Sequence, residues 1–105
     1  MLCAHTVRRL KPGTFDEFRT KFIPADGDVP AGWVRFHICR GVRDENEVVT
    51  FGFFDGTFEE LEQSQSDHDY QERRDSIDPL VDAVIANGVY EIVESRTAGS
   101  EGAAA

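Results

Sequence analysis

Apolar and polar residues alternate most clearly from Trp33 onward, where Val34, Phe36 and Ile38 interleave with Arg35, His37 and Cys39. A period of two marks a strand with one face buried, so WVRFHICRGV is read as a strand. The polar turn Arg43-Asp44-Glu45-Asn46 follows, and then EVVTFGFF, residues 47–54, which joins it as a hairpin. This second run is apolar at most positions, which predicts cover on both of its faces.

Upstream, Leu2 to Lys11 reads as a strand broken by Pro12-Gly13. Thr14 predicts a helix N-cap, with Glu17 completing a capping box. Phe15, Phe18 and Phe22 then recur at helical spacing as far as Pro24, and residues 24–32 form a loop. Downstream, Thr57 and Glu60 predict a second capping box that opens a helix with Phe58 and Leu61 inward. From Tyr70 a longer helical pattern runs through Ile77, Leu80, Val81, Val84 and Ile85, kinked at Pro79. Asn87-Gly88 reads as its C-cap, and VYEIVE, residues 89–94, as a last strand. Residues 96–105 have no apolar period and predict a frayed tail.

The order strand, helix, strand, strand, helix pair, strand predicts an α+β fold, the ferredoxin-like βαββαβ sandwich. Its antiparallel four-stranded sheet has spatial order 4-1-3-2, with helices on one face, in a single domain over residues 1–95. The other face is left bare, and it is apolar. The third strand presents Val49, Phe51 and Phe53 on one side and Val48 and Phe54 on the other. Large exposed apolar patches mark interfaces, so a homodimer joined through its sheet faces, an α+β barrel, is expected.

Charge and cysteine usage narrow the partners. The chain of 105 residues carries a net charge of −9, from 20 acidic and 11 basic residues. Such a surface repels phosphate backbones and anionic headgroups, which argues against nucleic acid and membrane partners. Cys3 and Cys39 fall on strands separated by a third, about 10 Å apart at the usual strand spacing, beyond the reach of a disulfide. With no apolar leader segment in MLCAHTVRRLK, a cytoplasmic location is expected.

The run GWVRFHICRGVRDENEVVTFGFFDGTFEELEQSQSDHDY, with the opening strand and PGTFDEF before it, resembles the antibiotic biosynthesis monooxygenase-like group of the dimeric α+β barrel superfamily. The resemblance covers residues 2–95. It implies a homodimer with a small-molecule cavity between sheet and helices in each subunit. Some members of that group oxygenate polycyclic aromatic substrates with O₂ and no cofactor, the substrate supplying the reducing power, and others bind or degrade haem. Phe54 stands where a Trp commonly closes the third strand.

Chemistry of that kind needs a base to form the substrate anion, and His5, His37 and His68 are the side chains that titrate near neutral pH. Trp33, Arg35, Phe54 and Tyr70 are the candidate substrate contacts, the aromatics for a flat ring and the arginine for a phenolic or anionic group. His68 has two other readings, an axial haem ligand or a plain helix-start residue between Asp67 and Asp69. There is no CxxC, HxxxH or HxH pair, so no metal site is expected. Three readings stay open: a cofactor-independent monooxygenase acting on an aromatic molecule, a haem-binding or haem-degrading protein, and a non-catalytic dimeric stress-response module whose cavity its own phenylalanines fill.

Overall fold

The computed structural model describes residues 1–22 and 30–98. Most of the loop expected over 24–32, and the end of the tail expected over 96–105, lie outside the described residues. Four strands, β1 (Leu2–Leu10), β2 (Trp33–Arg40), β3 (Glu47–Phe54) and β4 (Val81–Glu91), form one antiparallel sheet in the order β2-β3-β1-β4. That is the ferredoxin-like order, read from the other edge. Helices α1 (Phe15–Phe22), α2 (Phe58–Gln65) and α3 (His68–Ile77) accompany it.

β3 sorts its side chains by the pleat. Val48, Thr50, Gly52 and Phe54 are buried toward the helices, whereas Val49, Phe51 and Phe53 stay half-buried on the opposite face. Val48 joins Leu10, Phe18, Ile77 and Leu80 in the core between sheet and helices.

Of the two expected capping boxes, one forms. Thr57 Oγ1 accepts from Glu60 N at 3.1 Å, and Glu60 Oε1 accepts from Thr57 N at 2.8 Å. Thr14 instead donates its hydroxyl to Lys11 O at 2.7 Å, tying the turn back to the end of β1. Glu17 pairs with Lys21 one helical turn on, at 2.9 Å.

The chain departs most from expectation after Ile77. The helix stops there, Asp78–Leu80 is a single 3₁₀ turn containing Pro79, and residues 81–91 are strand, including Asn87-Gly88. Two register shifts explain the misleading pattern. Ile85 and Asp82 are extra residues opposite Val7/Arg8 and Arg9/Leu10 of β1. Each bulge resets the alternation. Val81, Val84 and Asn87, each partnered by an inward residue of β1, therefore recur every third residue, as on a helix.

The β2–β3 turn is anchored to β1 through Asp44. Its Oδ2 accepts from Arg9 Nη1 at 2.6 Å, and its Oδ1 accepts from Asn46 N at 3.0 Å. The hydrogen bond from Arg9, then that from Asn46, hold the Asp44 carboxyl below its ordinary range. A lowered folded-state pKa contributes stability above the unfolded carboxylate pKa, and that stability is lost as pH falls through the folded value. Asp44→Asn should therefore lower the melting temperature at pH 7 by more than at pH 3. Thermal melts at both pH values check this, and a deficit unchanged at pH 3 would assign the loss to something other than the carboxylate.

Candidate functional site

A cavity of about 220 Å³ lies between the sheet and the helices. Its floor is built from small residues, Ala4 of β1 and Gly52 of β3, which leave room above the sheet. A Cβ on Gly52 would stand 2.6 Å from Trp33 Cζ3 and 2.9 Å from Phe36 Cε1. The missing side chain is thus what lets these two rings lie down on the strand.

Trp33 and Phe36 form one wall, stacked at 5.1 Å between centroids and 29° between planes. Phe54 meets the Trp33 ring edge-on at 5.1 Å. The indole Nε1–H donates to Ser64 Oγ of α2 at 2.9 Å, which satisfies the ring's one polar atom and fixes its orientation. Phe22 of α1 and Tyr70 of α3 close other sides. Asn87 of β4 reaches the lining beside Thr6, whose hydroxyl donates to Asn87 Oδ1 at 3.1 Å.

Arg8 is the charged group set into the floor. Nη1 donates to Thr50 Oγ1 at 2.9 Å, and the guanidinium lies over the rings of Phe18 and Phe22 at 5.5 and 5.7 Å. Burial pushes its pKa below the ordinary arginine value. Tyr70 and Asp78 act against that shift and the neighbouring Arg74 reinforces it. Arg73 and Arg74 of α3 also line the cavity.

Of the residues singled out in the sequence, the structure brings Trp33 and Tyr70 to the cavity, with Phe54 behind the tryptophan. The three histidines do not line it. His5 and His37 project from the opposite, uncovered face of the sheet. There His5 stacks on Phe51 at 5.6 Å, His37 meets Phe51 at 5.8 Å and Phe53 at 5.7 Å, and Arg35 lies 5.9 Å over Phe53. Tyr90 meets His5 edge-on at 6.1 Å and extends this aromatic layer onto β4. His68 sits at the start of α3 with 86% of its side chain exposed, 3.3 Å from Glu72.

Arg8, Asn87 and Gly52 escaped the sequence reading. The signal for Arg8 was present in Arg8-Arg9, since one of two consecutive residues on a central strand must point toward the helices. Cys3 and Cys39 are unpaired. Among the described residues no three His, Cys, Asp or Glu side chains converge as a metal site, and no helix is long and apolar enough to cross a membrane.

No family model matches the chain, and no curated protein matches it in sequence. Solved structures do match it in shape. A Chloroflexus aurantiacus protein described by its family name, antibiotic biosynthesis monooxygenase, superposes with a TM-score of 0.75 at 17% identity, over 90% of this chain and 95% of its own. A variant of SnoaB, a cofactor-independent oxygenase from Streptomyces nogalater, gives 0.72 at 14% identity over 90% and 94%. Rv0793 from Mycobacterium tuberculosis gives 0.72 at 12% over 90% and 96%. The resemblance read from the sequence therefore holds at the level of fold, over nearly the whole of each chain.

Proposed function

We propose that the protein binds a flat aromatic small molecule in the cavity between sheet and helices and acts on it as a cofactor-independent monooxygenase. The observation that carries this reading is the cavity wall, where a stacked Trp33–Phe36 pair stands over a floor kept clear by Ala4 and Gly52. Aromatic walls with a few fixed polar groups suit a planar ligand. The oxygenase neighbour supports the reaction class by fold analogy.

In such a reaction an activated ring CH₂ gives up both hydrogens. One atom of O₂ becomes the carbonyl oxygen and the other leaves as water, so the ligand itself is oxidised. No histidine lines the cavity, so the acidic CH₂ loses its first proton to solvent water. The roles of this chain are to hold the ring against Trp33 and Tyr70 and to offset the charge of the resulting anion with Arg8. His5, His37 and Arg35 belong, in this reading, to a second interface. The uncovered sheet face pairs with that of a second copy, which removes Phe51, Phe53 and their neighbours from water.

Oxygen uptake with a panel of anthrones tests the reaction. Uptake above the spontaneous rate, cut by about tenfold or more in Trp33→Ala, is expected from the loss of the main ring contact. Uptake no faster than the protein-free rate for every anthrone would remove the oxygenase reading and leave only binding.

A further inference from the structure

Three of the chain's 11 basic residues, Arg8, Arg73 and Arg74, line the aromatic cavity between sheet and helices in a protein whose net charge is −9. Asp78 is the acidic residue in the same lining. Elsewhere Arg9 is answered by Asp44 and Glu47, Arg19 by Asp16, Arg40 by Glu45 and Arg96 by Glu94, while Arg35 and Arg43 stand outside the cavity. Among the described residues, none of the three cavity arginines has a carboxylate within ion-pair distance.

Arg8 is the most telling. A guanidinium has five N–H donors in a fixed fork. Within the described structure, one hydrogen bond, to Thr50, engages Arg8. Stacking on Phe18 and Phe22 explains where the group lies, but two phenyl rings do not neutralise it. A partly desolvated cation beside a second cation is costly unless an anion joins them.

We infer that the cavity takes its ligand as an aromatic carboxylate, the ring against Trp33 and Phe36 and the carboxylate against Arg8, with Arg73 and Arg74 screening it from the α3 side. The inference rests on the cavity reading above. The planar fork of arginine matches a carboxylate in two parallel hydrogen bonds. A carboxylate is also favoured over a phenol because it arrives ionised, and no histidine lines the cavity to ionise a ligand there.

Three probes of equal ring size separate the possibilities: 2-naphthoate, 2-naphthamide and 2-naphthol. The chain has one tryptophan, and it lines the cavity, so the Trp33 indole N–H resonance reports occupancy of this site and not of the outer sheet face. At neutral pH the naphthoate should bind about tenfold or more tighter than the amide, the advantage of a charge-assisted hydrogen bond. Arg8→Gln should remove most of that preference. Because Arg8 also packs in the core, Arg74→Gln on the exposed side of α3 is the second arm, and it should reduce the preference by about threefold with the fold intact.

Equal affinity for naphthoate and naphthamide, or an unchanged preference in both variants, overturns the inference while leaving an aromatic cavity in place. Naphthol binding as tightly as naphthoate replaces the carboxylate with a hydroxyl. If none of the probes shifts the indole resonance, the cavity reading itself falls.

Discussion

Phe51→Glu is expected to split the proposed sheet-to-sheet dimer into monomers. Phe51 lies near the centre of the uncovered face, with His5 stacked flat on one side and His37 on the other. Phe53 and Tyr90 extend the same layer. An aromatic residue at the centre of an interface contributes about 2 kcal/mol or more. A carboxylate in its place adds the cost of burying an unpaired charge. Two-fold symmetry brings the change to the contact twice. Together these should raise the dimer dissociation constant by about a thousandfold or more. The helix-side core should be untouched, since Thr50 and Gly52 on either side of Phe51 face the other way. Light scattering behind size exclusion then reads half the wild-type mass, with an unchanged circular dichroism spectrum. A wild-type protein that is itself monomeric at tens of micromolar would remove the sheet-to-sheet pairing.

The layout of the fold was legible because β2 from Arg35 onward, α1 and α2 each carry a clean period bounded by turn or capping residues, although a register shift at Val34 leaves Val34 exposed and turns Trp33 to the side of Phe36 and not of Arg35. β3 shows how far that goes: its near-continuous apolar run meant cover on two faces, and the structure puts the core on one and an aromatic layer on the other. The stretch after Ile77 was not legible. Two bulges in β4 place the side chains that face the helices at intervals of three, and a period count cannot separate that from a helix. The β-branched Val81, Val84 and Ile85, following a proline, were the contrary signal. The same misreading hid Asn87, which as a supposed helix cap had no reason to face a cavity. Trp33 and Tyr70 were found by residue type. Arg8 was not, because which of two adjacent arginines turns inward depends on strand register, and that is set by pairing with β3 and β4.

Gly52→Ala tests the cavity without touching a charge or a hydrogen bond. The position is in β3 beneath the Trp33–Phe36 pair, and its φ is not in the region that demands glycine. Alanine suits the backbone there, and the trouble is only space. A Cβ at 2.6 Å from the indole and 2.9 Å from the phenyl ring is closer than carbon atoms tolerate, so the rings must move. The indole is tied to Ser64 on α2 by its N–H, and Phe54 packs edge-on against it, so both contacts resist its displacement. Both rings line the cavity, and displacement into it is the expected response. Overpacking of this kind costs about 1–3 kcal/mol, partly offset by the smaller entropy loss of alanine on folding. A domain of this size survives that with a lower melting temperature. Ligand affinity should suffer more, by about tenfold or greater, because the displaced rings occupy the space a planar ligand needs. Calorimetric titration of the aromatic probes, beside a thermal melt, separates the two effects. If Gly52→Ala loses stability yet binds the probes as the wild type does, the rings have another way to yield and the ligand does not lie over Gly52. If binding falls while the mass in solution stays unchanged, the ligand lies over the Trp33–Phe36 pair and the outer face of the sheet is not its site.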